Sequence, residues 1–472
     1  LLRINIHMET PRYHRFLTWR NSMIDTDHIL QAALEQQPLL PPPPRTVRDT
    51  GLELQVLAEL AAKSLYITGK THLPILTTRL RLSINVLREV MDCLVAELLA
   101  EVAWRGDTDI DVQYQLTGAG RERAAAWLKR RPYAGAAPVP LDDYRALVQR
   151  QADALPDVSA DDVAAVFADD CLDPRIHELA GAAMYSARSL LLYGVPGSGK
   201  STLARKLGRL LQGTVAVPYA VCVGQEIVQV YDPAIHLPPA AVPGRAAPQR
   251  SSDLRWASCQ RPVVHLGAEL SADMLELRYD AHSGCYQAPP HFKANNGLFI
   301  VDDLGRQRLP ARALLDRFIQ PLDLGMDQLA LQGGHKFTVP FQAMLVCATN
   351  GEPAALLDAA SLRRIGYKVQ LGALSEASYR TLCRQQCRAL GVALDEASLA
   401  YLVGELHAGS AQPLLASLPR EIVSRVADFA GFAGLPPRLS AATLDQAWSS
   451  IFAGCLALPA CAEACALDES IA

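Results

Sequence analysis

Between residues 45 and 133 apolar side chains recur at helical spacing, interrupted by turn residues. Leu54, Leu57, Leu60, Ala61 and Leu65 mark one face of a helix over 52–65, which a Thr-Gly-Lys turn at 68–70 closes. A short helix over 72–82 follows, and Ser83 is a good N-cap for a third over 84–99. The pattern then predicts strands over 99–104 and 112–116, joined through Gly106 and Asp107, and a helix from Gly118 to about Arg130. Beyond residue 156 apolar strands alternate with helical stretches, the signature of a parallel α/β sheet. Strands are expected at 189–193, 262–266, 274–286 (with a turn at Ser283-Gly284), 298–301, 343–348 and 367–371, and two short ones about Gly333-Gly334 within 328–341. Helical spacing returns in 375–390, 395–407 and 420–432.

Three helices, a β-hairpin and a helix make a winged-helix pattern, and Tyr114-Gln115-Leu116-Thr117-Gly118-Ala119-Gly120-Arg121 resembles the wing exit of many bacterial winged-helix proteins. Such a unit reads DNA when its third helix and wing are basic. Here the helix carries Arg88 against Glu89, Asp92 and Glu97, and the wing tip carries Asp107, Asp109 and Asp111. Arg79 and Arg81, just before the helix, are the counterweight. The balance favours protein contact over DNA.

The expected organisation is an arm (1–44), a winged-helix domain (45–133), a linker helix (134–156), an α/β domain (157–372), a helical lid (373–456) and a tail (457–472). The arm holds a possible helix at 27–36 and a polyproline spacer, Pro41 to Pro44. The chain opens at Leu1 with neither an initiator Met nor a signal-peptide pattern, so its start is expected to be trimmed or misassigned.

Composition narrows the function classes. Half of the 472 residues are hydrophobic and 20% charged, which excludes a disordered chain. A net charge of -4 argues against binding nucleic acid through bulk positive charge. No apolar run approaches a membrane span. The 11 cysteines show no CxxC and no zinc spacing, as expected of free thiols in a reducing cytoplasm.

The strongest chemical signal is Gly194-Val195-Pro196-Gly197-Ser198-Gly199-Lys200-Ser201, the full GxxxxGK[ST] pattern between an apolar strand and an amphipathic helix that includes Thr202. Glycines let backbone N–H groups wrap phosphates, Lys200 is placed for the β and γ phosphates, and the Ser201 hydroxyl for Mg²⁺. Leu298-Phe299-Ile300-Val301-Asp302-Asp303 is the matching strand ending in acids. Asp302 is placed to hold the water shell of Mg²⁺ and Asp303 to orient or deprotonate the attacking water. Adjacent carboxylates at a strand end repel without a cation, which favours the metal reading.

Together with Ala343 to Asn350, Leu362-Arg363-Arg364-Ile365 and Pro419-Arg420-Glu421, these phrases resemble the AAA+ ATPases. Within them, the resemblance is to MoxR-like or chaperone-like bacterial ATPases with an N-terminal winged helix, over roughly residues 45–455. Further phrases that carry it are Val230-Tyr231-Asp232-Pro233, Lys293-Ala294-Asn295-Asn296-Gly297 and Asp302-Asp303-Leu304-Gly305-Arg306-Gln307. The hairpin at 328–341 resembles the pre-sensor insertion of one AAA+ branch.

The resemblance implies ATP hydrolysis with Mg²⁺, a homo-oligomeric ring (a hexamer favoured) and an unknown protein client. Asn350 would position the attacking water. Arg364, or failing that Arg363, would reach the neighbouring subunit's γ-phosphate, and Arg420 the γ-phosphate of its own. The implied function is remodelling of a protein or complex. The alternative is a DNA-binding regulator that uses ATP as an assembly switch, with a nucleotide-bound scaffold of negligible turnover third. Asp303 stands where most AAA+ proteins carry Glu, one methylene longer, so basal turnover is expected to be slow. The Pro-rich stretch 237–248 is a natural place for client contacts. Trp256 is expected to pack, and His236, His265, His282 and His291 to be ordinary polar or core histidines.

Overall fold

The structure, a computed structural model, describes residues 40–452 apart from 109, 156 and 240–251. The expected helix at 27–36, Asp109, most of the Pro-rich stretch and the tail lie outside the described residues.

Helices Leu54–Thr68, Leu73–Leu80, Ile84–Ala96 and Gly118–Arg130 pack with a three-stranded sheet of β1 (Thr71–His72), β2 (Ala100–Arg105) and β3 (Val112–Leu116), in the order β1-β3-β2. Ser83 Oγ accepts from the Val86 N–H, and Thr117 Oγ1 from the Gly120 N–H at 3.0 Å. The third helix stops at Ala96, short of the expected end. Leu98 turns into the left-handed region at φ 57°, and the Leu99 N–H bonds back to Leu94 O.

After β4 (Val139–Pro140) come helices Leu141–Asp153, Ala160–Val166 and Pro174–Tyr185, then β5 (Leu190–Gly194) and helix Lys200–Leu207. The chain continues through β6 (Thr214–Pro218), β7 (Ala220–Val223), β8 (Glu226–Gln229), β9 (Trp256–Gln260), β10 (Val263–Leu266), β11 (Arg278–Asp280), β12 (Cys285–Gln287) and β13 (Leu298–Val301). Helix Ala311–Leu324, β14 (Met326–Ala330), β15 (Lys336–Pro340), β16 (Met344–Thr349), helix Ala359–Arg364 and β17 (Tyr367–Leu371) follow.

The expected α/β core, a parallel sheet flanked by helices, is present. Its order is β10-β13-β16-β5-β17, with every pairing parallel. β13 and β16 are buried along their whole length, as the unbroken apolar runs of a sheet covered on both faces require. Each such Leu, Ile, Val or Phe contributes about 1.5–3 kcal/mol. All five strands run the same way, so their C-terminal ends form one edge.

A second sheet, β11-β12-β8-β7-β4, grows from the long segment between β5 and β13. Nothing in the apolar pattern marks Val139–Pro140, in the expected linker, as a strand that pairs in parallel with β7. The expected turn at Ser283-Gly284 within 274–286 is present, and the strands it joins are shorter than the expected stretch. Leu275 ends a 3₁₀ turn, and the Asp280 carboxylate accepts from the His282 N–H and Ser283 Oγ, folding β11 back on β12.

This second sheet is fastened to the N-terminal helices. Ala220 and Cys285 share a core with Leu57, Leu65 and Tyr133. The buried Arg255 guanidinium pairs with Asp253 and donates to Thr50 O at 2.8 Å and Pro138 O at 3.2 Å. Arg81 lies 4.6 Å from the Tyr219 ring centroid. Trp256 is buried in the core of the second sheet.

The C-terminal helices are Glu376–Leu390, Glu396–Tyr401 (continuing as a π-helical turn, Leu402–His407), Leu418–Ala433 and Ala441–Ile451. Tyr379, Ile422, Leu444 and Trp448 pack in a core continuous with Leu190, Leu192 and Val346 of the parallel sheet.

Candidate functional site

The Gly-rich loop leaves β5 and enters the helix at Lys200. Two constraints select glycine in it. At Gly194 φ is 138°, and a Cβ would lie 2.0 Å from Leu371 O on the adjacent strand. At Gly199 φ is 98°, and this residue caps the helix from the left-handed region. Pro196 is exposed at the loop crown, Ser198 is buried, and Ser201 and Thr202 fall in the first turn of the helix.

Lys200 folds back into the loop. Its Nζ donates to Gly194 O at 2.9 Å, Val195 O at 2.7 Å and Ser198 Oγ at 3.2 Å. Burial pulls its ammonium below the ordinary lysine range, and the Asp302 and Asp303 carboxylates pull the other way. The buried cation thus has dipoles and neutral oxygens in contact and, among the described residues, no carboxylate within ion-pair distance.

The acids stand on the same sheet edge. β16 lies between β5 and β13, so Asn350, just past β16, sits between the Gly-rich loop and the acid pair. Asn350 Nδ2 donates to Asp303 Oδ1 at 2.9 Å. Asp303 occupies the left-handed region at φ 52°, which its short polar side chain tolerates better than most. Its N–H donates to Asp302 Oδ1 at 3.0 Å. Gln307 clamps the turn from the other side. Its amide donates to Asp302 O and Asp303 O, and its oxygen accepts from the Gly305 N–H.

The residues fit a Mg²⁺-bound phosphate chain. A glycine cradle, a buried ammonium, a helix-start hydroxyl and hard carboxylate oxygens are the donor set such a group needs. Among the described residues no group of three or more His, Cys, Asp or Glu stands ready as a metal site by itself. A cation here would therefore depend on phosphate oxygens for part of its shell, as Mg²⁺ does.

The C-terminal helices close over the loop. The Ser417 N–H donates to Gly197 O at 3.0 Å, and a Cβ on Gly197 would meet Ser417 Oγ at 2.6 Å. Arg420 is exposed in the first turn of the helix that starts there. Arg363 and Arg364 end helix Ala359–Arg364 and are not drawn into the loop. Arg364 Nε pairs with Asp323 at 3.0 Å, its Nη1 donates to Ala360 O, and Arg363 is exposed.

The four histidines differ. His236 is buried, its Nδ1 accepting from the Asp232 N–H and its Nε2 donating to Lys293 O. His291 is buried against Asp327 at 2.7 Å. His282 is exposed at the turn between β11 and β12. His265, expected to be ordinary, touches the candidate site, with Nε2 3.1 Å from Asp302 Oδ2. The signal that could have found it is its place in the last half of an apolar strand that pairs in parallel with the acid-bearing one.

A family profile described as a domain of unknown function (DUF8689) matches residues 375–450. No curated protein matches the chain. Among solved structures, the chain is similar to the Holliday junction branch migration motor RuvB of Thermotoga maritima. They are 12% identical, the match covers 62% of this chain and 70% of that one, and the TM-score is 0.34. It is also similar to NtrX from Brucella abortus in complex with ATP, at 13% identity, 59% and 56% coverage and a TM-score of 0.38. The same protein with ADP matches at 13%, 69% and 65%, with a TM-score of 0.38. Both NtrX matches thus span less than two thirds of that protein's chain.

Proposed function

We propose that this chain is a Mg²⁺-dependent ATPase of the AAA+ class that converts hydrolysis into remodelling of a protein or protein complex. The observation that carries it is the meeting, on one sheet edge, of a P-loop whose buried lysine is held by backbone carbonyls and a hydroxyl with an Asp302-Asp303-Asn350 cluster.

In this reading the loop amides of 194–199 and Lys200 bind the β and γ phosphates, replacing the carbonyls that now hold the ammonium. Ser201 and Asp302 would hold Mg²⁺, which when bound offsets phosphate charge. Asn350 holds one oxygen of Asp303, leaving the other to orient the attacking water. Arg420 approaches the phosphates from the covering helix. Arg364 or Arg363 acts on a neighbouring subunit in a ring, for which a hexamer is the favoured size. The short side chain of Asp303 keeps basal turnover slow until a partner acts.

The N-terminal unit, read as a winged helix of a MoxR-like chaperone, serves as a fixed protein-docking block. Three contacts favour this over DNA reading. Ser83 Oγ donates to Pro44 O, and the Val47 N–H donates to Glu89, so the chain's own residues cover the start of the third helix. Arg81 is already spent on Tyr219.

The test is nucleotide titration alongside phosphate release. Lys200→Ala is expected to lose ATP binding. Asp303→Asn is expected to keep binding and lose turnover by about a hundredfold or more. Equal loss of binding in both variants, or fast turnover by the purified chain alone, would count against the assignment.

A further inference from the structure

We infer that His265 is a positioning residue for Asp302, fixing the carboxylate in the orientation that receives the Mg²⁺ of a bound nucleotide. The inference rests on the proposed reading of Asp302 as the metal-side acid and adds to it a residue from a different strand.

The backbone places the two side by side. β10 and β13 pair in parallel with His265 beside Ile300 and Leu266 beside Val301. The Asp302 N–H then donates to Leu266 O at 2.8 Å, which continues the ladder one residue past β13. Asp302 is therefore held at its main chain by the strand that carries His265.

The side chain is held at both oxygens. Oδ1 accepts the Asp303 N–H at 3.0 Å and Oδ2 meets His265 Nε2 at 3.1 Å. Rotation about the terminal bond of an aspartate is broad and poorly restrained by itself. With one oxygen tied to the next residue in the chain, the contact that fixes the plane of the carboxylate is the one from His265. Each oxygen keeps a lone pair for a cation or its water shell.

The chemistry of the contact separates positioning from ligation. A carboxylate oxygen only accepts, so in this contact Nε2 carries the hydrogen. A nitrogen bearing hydrogen has no lone pair for a metal, so Nε2, the atom that faces Asp302, holds the carboxylate and does not ligate the cation itself. Carboxylates that bind metals are themselves commonly held by such hydrogen bonds, and losing the outer partner typically costs about 10–100-fold in metal affinity or activity. His265 is 39% exposed and Asp302 13% exposed, so the histidine stands at the rim of the site and fills no core position. The rest of the turn is held independently by Gln307.

The experiment measures binding of a fluorescent ATP analogue to the full chain, in EDTA and across a Mg²⁺ titration. It compares wild type, His265→Ala and His265→Gln, with Lys200→Ala as a control. In EDTA the wild type and both His265 variants are expected to bind alike. The Mg²⁺ concentration that gives half of the metal-dependent gain in affinity is expected to rise about tenfold or more in His265→Ala. In His265→Gln, whose amide offers an N–H at similar reach, most of that rise is expected to be recovered.

An unchanged Mg²⁺ requirement in His265→Ala would overturn the inference. So would equal impairment of the Ala and Gln variants, which would make the ring a space-filler. If Mg²⁺ alters affinity in none of the proteins while Lys200→Ala still abolishes binding, the inference falls and the nucleotide site stands. If the wild type binds no nucleotide, both fall.

Discussion

Lys200 and Arg255 are both buried cations, 6% and 3% exposed, in opposite surroundings. Lys200, at the edge of the parallel sheet, touches two carbonyls and a hydroxyl. Arg255, where the second sheet meets the N-terminal helices, is met by the Asp253 carboxylate at 2.8–3.1 Å and by two carbonyls from Thr50 and Pro138. The first charge is offset by dipoles that an anion can replace. The second is neutralised on the spot, by groups drawn from three separate segments of the chain. A buried ammonium held only by groups that an anion can replace, at a strand-end loop of glycines, is the arrangement a phosphate needs. A guanidinium held by its counter-ion and by carbonyls of two further segments is a fastener.

The largest expected effect on stability follows from this contrast. Arg255→Met leaves the Asp253 carboxylate buried without its partner and should cost about 3–5 kcal/mol in chemical denaturation. Lys200→Met removes a desolvated charge whose acceptors border solvent-facing loop, and should change stability by no more than about 1 kcal/mol. Similar losses in the two variants would break the comparison.

The same contrast explains what could be read from the sequence. The P-loop, the acid pair and the Asn-bearing strand are local phrases, because phosphate binding needs contiguous backbone N–H groups and strand-end side chains. The apolar strands of the parallel sheet were legible for a related reason. They are buried on both faces, so their sequence is an unbroken apolar run.

Arg255 carried no such mark. Its partners are two, 117 and 205 residues away in sequence, and only the first is visible as a nearby acid. Val139–Pro140 is too short a strand to show a period, and its pairing with β7 is fixed by tertiary packing. His265 was likewise hidden, because its meaning comes from the strand register that brings it beside Asp302, 37 residues away.

Histidines extend the comparison to smaller effects. Buried His407 in the C-terminal helices is neutral by construction. Its Nδ1 donates to Gln412 O at 3.0 Å, so its Nε2 accepts from the Tyr379 hydroxyl at 2.7 Å. A second proton would force the Tyr379 hydroxyl to turn from donor to acceptor, and burial holds the His407 pKa below the ordinary 6.5. Burial likewise lowers His236 and His177.

The sign of the pH effect follows from linkage. Between the unfolded value and the lower folded one, the unfolded chain binds more protons, so stability falls as pH drops through that window. The melting temperature should decline from about pH 7.5 to about pH 5. The slope should be shallower in His407→Gln, whatever that variant's absolute stability. A slope unchanged by the substitution would show that His407 is not held neutral in the fold.

Arg364 tests the contrast at its weakest point, because it has a carboxylate partner yet is proposed to act on a ligand. Its pair with Asp323 has 33% and 46% of the two side chains exposed, where water and salt compete with the contact. A pair of that kind contributes about 0–1 kcal/mol, so Asp323→Ala and Arg364→Ala should each leave stability within about 1 kcal/mol of wild type. The contact then tethers a guanidinium that a neighbouring subunit's phosphate can take over at little cost. A loss approaching that of Arg255→Met would instead place Arg364 among the fasteners. The exposed Arg363, for which the described residues give no carboxylate partner, would then be the arginine left to act across a subunit boundary.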